Sequence, residues 1–204
     1  MTEPVARIRI ELQNIEPVIW RRVDLPVCSS LATLHDVIQA TFLWENAHLF
    51  EFRIGEKVYG QPPPHDDFFD RRVHRATSLR LRALLERGIS LFLYIYDFGD
   101  DWRHDVLIEQ TFTGEADVDY PRFVDGKRAA PPEDVGGAPG FFEFVEAIRD
   151  RSHPGHVDAR AWCGGSFDPN DIGGDRIRER LVPIVRRRRL ALDRHHASQI
   201  AKKS

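Results

Sequence analysis

The stretch that decides the fold is residues 91–109, LFLYIYDFGDDWRHDVLIE, in which two apolar runs flank a short Gly-Asp-Asp turn. Runs of aromatic and β-branched residues on both sides of such a turn are typical of a β-hairpin. We predict that residues 98–101 form the turn, which sets the register of the two strands. Successive side chains along each strand then alternate between two faces. The predicted facing pairs are Asp97 with Trp102, Ile95 with His104, and Leu93 with Val106.

The same register assigns the two faces of the hairpin. Trp102 lies on the apolar face and is expected to be buried, as is Trp20 on an earlier strand. Tyr94 and Tyr96 lie on the other face, which the charged residues opposite them mark as wet or partly covered.

Three stretches before the hairpin predict further strands. Residues 6–15, ARIRIELQNI, alternate between apolar and polar side chains, and residues 17–26, PVIWRRVDLP, should pair with them. Residues 48–60, HLFEFRIGEKVYG, predict a strand that turns at Gly55. Residues 61–76, with three consecutive prolines, predict a loop.

Helical patterns separate and follow these strands. Residues 33–44, TLHDVIQATFLW, carry apolar side chains at helical spacing, and Thr33 with Asp36 forms a candidate capping box. A short helix is predicted over residues 78–87. Beyond residue 113 the chain predicts a long loop rich in Gly, Pro and Asp, and then three helical segments: residues 140–150, residues 159–162, and a last helix from about Asp175.

Two strands, a helix, a strand, a short helix and another strand follow the order of ubiquitin-like β-grasp folds. We therefore predict an α+β fold with a mixed β-grasp sheet, extended by the strand 102–112. One domain should cover residues 1–185, with a sheet-rich core over 1–112 and a loop and helical extension over 113–185. Residues 186–204 are expected to form a flexible basic tail.

Composition limits the protein class. The chain has 204 residues, a net charge of −3, and 42% hydrophobic residues, which suits a globular domain with a real core. The stretch 186–204 holds five arginines, two lysines and one aspartate, so the rest of the chain is acidic. Two cysteines form no disulfide framework and favour the cytoplasm. No apolar run is long enough to span a membrane, and no signal-peptide core precedes the first strand.

Six motifs resemble a known family in both order and spacing. The family is the Ri-plasmid ORF-3-like family, many members of which carry the label of insertion-element passenger TnpR proteins. The resemblance covers about residues 5–182 and implies an α+β domain of unassigned biochemical role. The motifs are PVIWRR (17–22), TLHDVIQ (33–39), HLFEF (48–52), YDFGDDWRH (96–104), PPEDVGG (131–137) and FDP (167–169).

The chain departs from this family and its label in two respects. Many members carry cysteines that could form a metal knuckle, and the corresponding positions here are Phe123, Ala130 and Val135. The TnpR label implies a resolvase, yet the chain shows no nucleophilic serine among arginines. Neither a cysteine metal site nor recombinase chemistry is therefore expected.

The acidic hairpin turn is the first candidate site. Asp97, Asp100 and His104 could bind a divalent metal ion or act as acid and base, joined by Glu133 and Asp134. The simpler interpretation is that Asp97 and Asp100 serve the turn and that His104 satisfies a buried hydrogen bond.

We expect the loop 131–137 to contact this turn. Prolines stiffen its first half and glycines permit a tight reversal in its second half. Carboxylates brought together in this way need a positive group nearby. The candidates are Arg103, protonated His104, Arg122, Lys127 or a bound cation.

Three weaker candidates lie elsewhere. The stretch HDDFFDRRVH matches no metal-ligand spacing and is interpreted as a solvated loop; its polar residues are His65, Asp66, Asp67, Asp70 and His74. A partial calcium-loop pattern is explained more simply by Asp168 as a helix N-cap followed by Pro169; its residues are Asp168, Asn170, Gly173 and Glu179. The basic quartet could bind nucleic-acid phosphates; it comprises Arg186, Arg187, Arg188 and Arg189.

The sequence thus supports one leading function and two alternatives. The leading hypothesis is a non-enzymatic binding or interaction module for an unidentified protein or small molecule, without a cofactor and without membrane association. The first alternative is a metal-assisted hydrolase or other enzyme centred on the acidic turn. The second is a nucleic-acid-associated protein that uses the basic tail.

Overall fold

One large β-sheet runs through the computed structural model, which describes residues 2–62 and 72–201. In this part of the chain the sheet has eight strands, in the order β5-β4-β3-β6-β7-β1-β2-β8. The strands are β1 (Pro4–Leu12), β2 (Trp20–Pro26), β3 (Phe50–Ile54), β4 (Lys57–Gly60), β5 (Val73–Arg75), β6 (Leu91–Tyr96), β7 (Trp102–Thr113) and β8 (Arg122–Lys127).

Within the described residues, five α-helices accompany the sheet. They are α1 (Leu31–Phe42), α2 (Leu81–Leu85), α3 (Gly137–Arg149), α4 (His156–Trp162) and α5 (Gly174–Ala201), and a 3-10 helix spans Ala76–Ser78. The apolar face of α1 is buried as predicted, and Ile177, Leu181 and Ile184 of α5 belong to the same core. None of the described helices combines the length and apolar character needed to cross a membrane.

The α+β class is confirmed, whereas the finer β-grasp assignment stays a prediction. The strand that was expected to extend the sheet, β7, lies between β1 and β6 and pairs antiparallel with both. Two other strands, β5 and β8, fall in stretches predicted as loop. They add short edges to the sheet that the local sequence pattern did not indicate.

The hairpin exists, but its predicted register is wrong by one residue. Tyr96 faces Trp102 and Tyr94 faces His104, so the loop has five residues, 97–101. Asp97 and Asp101 adopt left-handed backbone conformations (φ 55° and 52°), which remove both from the strands. A shift of one residue exchanges the faces of a strand. Tyr94 and Tyr96 are therefore core residues, exposed by 0% and 1%.

Helix ends also differ from the predictions. Ser30, rather than Thr33, caps α1, because its Oγ accepts a hydrogen bond from the Thr33 backbone N–H at 3.2 Å. Asp168 does not cap a helix, since α5 begins at Gly174 and the Asp168 carboxylate instead accepts the Asn170 N–H within a turn.

The two tryptophans expected to be buried have different environments. Trp102 is 3% exposed in the core. Trp20 is only partly buried, and its ring lies on the outer face of the sheet beneath two guanidinium groups, Arg9 at 4.2 Å and Arg22 at 4.9 Å from the centroid. The burial predicted for Trp102 is thus confirmed, whereas Trp20 is buried only in part and lies on a face with charged neighbours.

The basic stretch continues α5 as far as Ala201 rather than leaving the helix at residue 186. Three of its arginines form ion pairs with distant carboxylates: Arg187 with Asp36, Arg188 with Glu3, and Arg189 with Asp119. No ion pair of Arg186 is present among the described residues.

Deleting residues 186–204 is expected to lower the melting temperature by no more than about 5 °C. The core residues of α5 precede the deletion, and partly exposed ion pairs contribute only about 0–1 kcal/mol each. Thermal unfolding followed by circular dichroism measures the change. A much larger decrease, or loss of the cooperative transition, would show that the second half of α5 is part of the folding unit.

Candidate functional site

The hairpin turn and the loop 131–137 meet in space, as predicted. The Gly136 N–H donates a hydrogen bond to Asp100 Oδ2 at 3.1 Å. Gly137 lies so close that a Cβ atom there would be 2.8 Å from the Asp100 carbonyl oxygen, and its φ is +67°. Only glycine tolerates both conditions. The double-glycine motif therefore allows the loop to dock on the turn.

Three side chains from different segments converge at this contact. His48 precedes β3, Asp97 opens the hairpin loop, and Asp134 belongs to the docked loop. His48 Nε2 lies 2.9 Å from Asp134 Oδ1 and 3.6 Å from Asp97 Oδ2. Potential ligand atoms of the three residues all lie within 4.8 Å of one another. These donors form a compact set of one imidazole nitrogen and two carboxylates.

The Nε2 atom of His48 lacks a hydrogen-bond partner among the described residues, although carboxylates lie close to it. Nε2 is shielded from solvent, yet no described group accepts or donates a hydrogen bond there in suitable geometry. The Asp134 oxygen at 2.9 Å must therefore lie off the axis along which the ring nitrogen would donate a proton. Ligands of a shared ion have this arrangement, because the ion itself occupies the axis of each nitrogen donor.

Backbone hydrogen bonds fix Asp97. Its N–H donates to the Leu49 carbonyl at 3.0 Å, and its own carbonyl accepts the Asp101 N–H at 2.7 Å. Oδ1 accepts the Gly99 N–H at 2.9 Å. This last bond is the amide-capping role expected from the sequence. It leaves Oδ2 directed toward His48, so turn formation and ligand presentation use different oxygens of one side chain.

Glu133 lies beside the three converging residues and is held by its own partners. Its Oε2 accepts the Glu45 backbone N–H at 3.0 Å, and its Oε1 accepts a short hydrogen bond from the Tyr96 hydroxyl. The same Oε1 is 3.7 Å from His48 Nε2. Burial, followed by the hydrogen bond to Glu133, raises the pKa of Tyr96. Tyr96 therefore stays a proton donor that positions the carboxylate.

An aromatic stack supports the loop from below. Trp44 stacks on Tyr96 at 5.0 Å between ring centroids and lies 6.2 Å from the Trp102 ring. Its indole N–H donates to the Pro131 carbonyl at 2.9 Å. The loop is thus attached to the core immediately before the two acidic residues, which limits their movement.

The predicted site residues separate into two groups. Asp97, Glu133 and Asp134 gather around His48, whereas Asp100 uses its carboxylate to hold Gly136. The structure places His104 in the core, outside the group that gathers around His48. Neither of its ring nitrogens has a hydrogen-bond partner among the described residues, so the buried hydrogen bond expected for His104 is absent. The His104 ring is fully buried between aromatic rings, 4.8 Å from Phe42 and 5.4 Å from Trp44 between centroids.

His48, which supplies the imidazole, was not predicted from the sequence. Two signals could have found it: His48 is the first residue of the HLFEF motif, and a carboxylate cluster needed a positive or metal-bound partner. None of the expected basic partners forms an ion pair with Asp97, Glu133 or Asp134 in the described ranges.

The described residues of the weaker candidate sites do not converge on a common point where a ligand could bind. The Asp168 and Asp171 carboxylates accept backbone N–H groups of their own loop, and the Asn170 oxygen accepts a hydrogen bond from Arg128. Of the HDDFFDRRVH stretch, His65, Asp66, Asp67 and Asp70 lie outside the described residues, and His74 stands on the edge strand β5.

Comparisons with known proteins agree with the fold. The sequence profile described as "Plasmid pRiA4b ORF-3-like protein" matches residues 4–175. The uncharacterised protein y4hQ of Sinorhizobium fredii is 37% identical over 166 residues, which cover 81% of this chain and 84% of that protein. The crystal structure of the protein of unknown function MM3350 from Methanosarcina mazei superposes with a TM-score of 0.76 at 32% identity, covering 85% of this chain and 97% of the other.

Proposed function

Since the chain belongs to the plasmid pRiA4b ORF-3-like family, we propose that it is a mobile-element-associated binding module that holds a divalent metal ion between His48, Asp97 and Asp134. The module is non-enzymatic, works in the cytoplasm, and presents the site on a β-grasp-like sheet. The single observation that carries the proposal is the shielded His48 Nε2, which points among three carboxylates without a hydrogen bond.

Electrostatics support a cation at this point. Asp97, Glu133 and Asp134 all lie within 4 Å of His48 Nε2, and their ion pairs in the described residues involve only this imidazole. Carboxylates at such separations repel each other unless a positive charge lies between them. A metal ion supplies that charge and also uses the neutral imidazole as a ligand.

The donor set favours a transition metal. One imidazole with carboxylates suits Zn²⁺ or Mn²⁺ better than Ca²⁺ or Mg²⁺, which prefer oxygen ligands alone. Nitrogen and oxygen ligands lie about 2.0–2.2 Å from Zn²⁺, so two ligands of one ion are at most about 4.4 Å apart. The His48 distances of 2.9 and 3.6 Å are compatible with this limit. Glu133 either completes the set or stays with Tyr96 as a supporting carboxylate.

Zn²⁺ or Mn²⁺ is expected to raise the melting temperature of the full-length protein. A ligand that binds only the folded state at 100 times its Kd adds about 2.7 kcal/mol to the free energy of unfolding. The His48→Ala and Asp134→Asn variants should lose this increase. Both side chains are partly exposed, by 29% and 67%, so the variants should still fold without metal.

Matched substitutions control for nonspecific effects. His74→Ala and Asp117→Asn remove the same chemical groups elsewhere on the protein and should preserve the metal-dependent increase. Equal melting temperatures with and without Zn²⁺ or Mn²⁺ in the wild-type protein would contradict the proposal. An increase that persists in His48→Ala would contradict the assigned ligand.

A further inference from the structure

A cleft of about 470 Å³ opens between α3 and α4, next to the loop that carries Asp134. Phe144 and Ala147 are buried and form its apolar floor. Trp162, at the end of α4, forms one wall. Its ring packs edge-on against Phe144 with centroids 5.5 Å apart, yet half of the residue is exposed to solvent. The volume is in the range of sites that enclose a small ligand or one long side chain.

The charged residues that line the cleft are acidic. Asp134, Glu143 and Asp158 contribute carboxylates and His153 an imidazole, and no lysine or arginine of the described residues lines the cleft. Glu143 and Asp158 are exposed and form no ion pair with any described basic residue. An exposed indole next to unpaired carboxylates matches the chemistry of an alkylammonium or guanidinium group. The same carboxylates would repel the negatively charged phosphates of a nucleic acid.

We propose that this cleft docks a basic peptide segment of a partner protein, with an arginine or lysine side chain against Trp162. Glu143 and Asp158 flank the charged group, while its methylene stem packs on Phe144 and Ala147. Charge complementarity and the exposed aromatic wall determine this choice of occupant. The docking site goes beyond the metal site and does not require it, although Asp134 lies at the border of both.

Fluorescence anisotropy of a labelled tetra-arginine peptide, titrated with the full-length protein in EDTA, tests the proposal apart from metal binding. The wild-type protein should bind this peptide and not a tetra-glutamate peptide. Trp162→Ala and the double variant Glu143→Gln/Asp158→Asn should each weaken binding at least about tenfold, since each removes one half of the recognition. Trp162→Phe keeps an aromatic wall and should retain most of the affinity.

The control variant Glu86→Gln removes an exposed carboxylate that directly follows α2 and does not line the cleft. It should leave the affinity for the tetra-arginine peptide unchanged. An unaltered melting temperature verifies the fold of each variant. No binding by the wild-type protein, or equal affinity in Trp162→Ala, would overturn the proposal. A loss in Glu86→Gln as large as in the double variant would also overturn it, because attraction would then depend on overall charge.

Discussion

Replacing Trp102 by alanine is expected to lower the free energy of unfolding by about 3–5 kcal/mol, as other large truncations in protein cores do. Trp102 is 3% exposed and faces Tyr96 across the hairpin. It also lies in the aromatic stack with Trp44, which holds the loop at Pro131. The substitution therefore leaves a cavity below the candidate site. Chemical denaturation measures the change.

Trp20→Ala is the matched control, because it removes the same side chain from the outer face of the sheet. Its two contacts with arginines at the surface are worth about 0.5–1 kcal/mol each. The loss should therefore be no more than about half that of Trp102→Ala. A change below about 1 kcal/mol in Trp102→Ala would contradict the position of Trp102 in the core.

Lowering the pH from 7 to about 4.5 is expected to remove about 5 kcal/mol of stability through two buried histidines. Burial removes the solvation of the charged ring and lowers the pKa of His104 to about 3, and neither ring nitrogen has a hydrogen-bond partner among the described residues. Burial also lowers the pKa of His35 to about 4, against a smaller opposing effect of its hydrogen bond to Asn46. The ordinary value for both is 6.5.

The direction follows from proton uptake. Above pH 6.5 both rings are neutral in the folded and the unfolded chain, and the full stability is present. As the pH falls from 6.5 toward the folded values of about 4 and 3, only the unfolded chain gains protons, so stability is lost. At pH 4.5 each histidine accounts for about 2–3 kcal/mol. Below the folded values no further loss comes from these groups.

The His104→Leu variant isolates one of the two contributions. Between pH 6.5 and 4.5 the free energy of unfolding of this variant should fall less steeply than that of the wild-type protein. The reason is that unfolding of the variant takes up about one proton fewer. His74→Leu, which makes the same substitution on an edge strand, is the control for effects of the substitution itself. Denaturant unfolding at several pH values provides the comparison. Parallel curves for His104→Leu and the wild-type protein would contradict a buried, neutral His104.

The sequence predicted the hairpin but not its register, and the reason is local. LFLYIY is apolar at every position, so both faces of β6 match a buried pattern and alternation cannot distinguish them. The register depends instead on Asp97 and Asp101, whose left-handed conformations lengthen the loop to five residues. Aspartate tolerates that conformation better than most residues, but the sequence alone does not require it.

The contact of the loop 131–137 with the hairpin turn was predictable, because local residue types control it. The prolines and glycines of 131–137 indicated a stiff loop with a tight reversal, and the loop does dock on the turn. The imidazole was missed because His48 reaches its partners through contacts between segments distant in sequence. The pairing of β3 with β6 places His48 beside Asp97, and the docked loop brings Asp134 to it. Periodicity and motif spacing describe single segments and carry no information on such contacts.

Electron paramagnetic resonance of bound Mn²⁺ tests most directly whether His48 is a metal ligand. The full-length protein, freed of metal with EDTA and dialysed against Mn²⁺, should retain one ion per chain. Its pulsed spectrum should show coupling to a single imidazole nitrogen, which the His48→Gln variant should lose. A wild-type protein that retains no Mn²⁺, or that retains it without nitrogen coupling, would contradict a metal site at His48, Asp97 and Asp134.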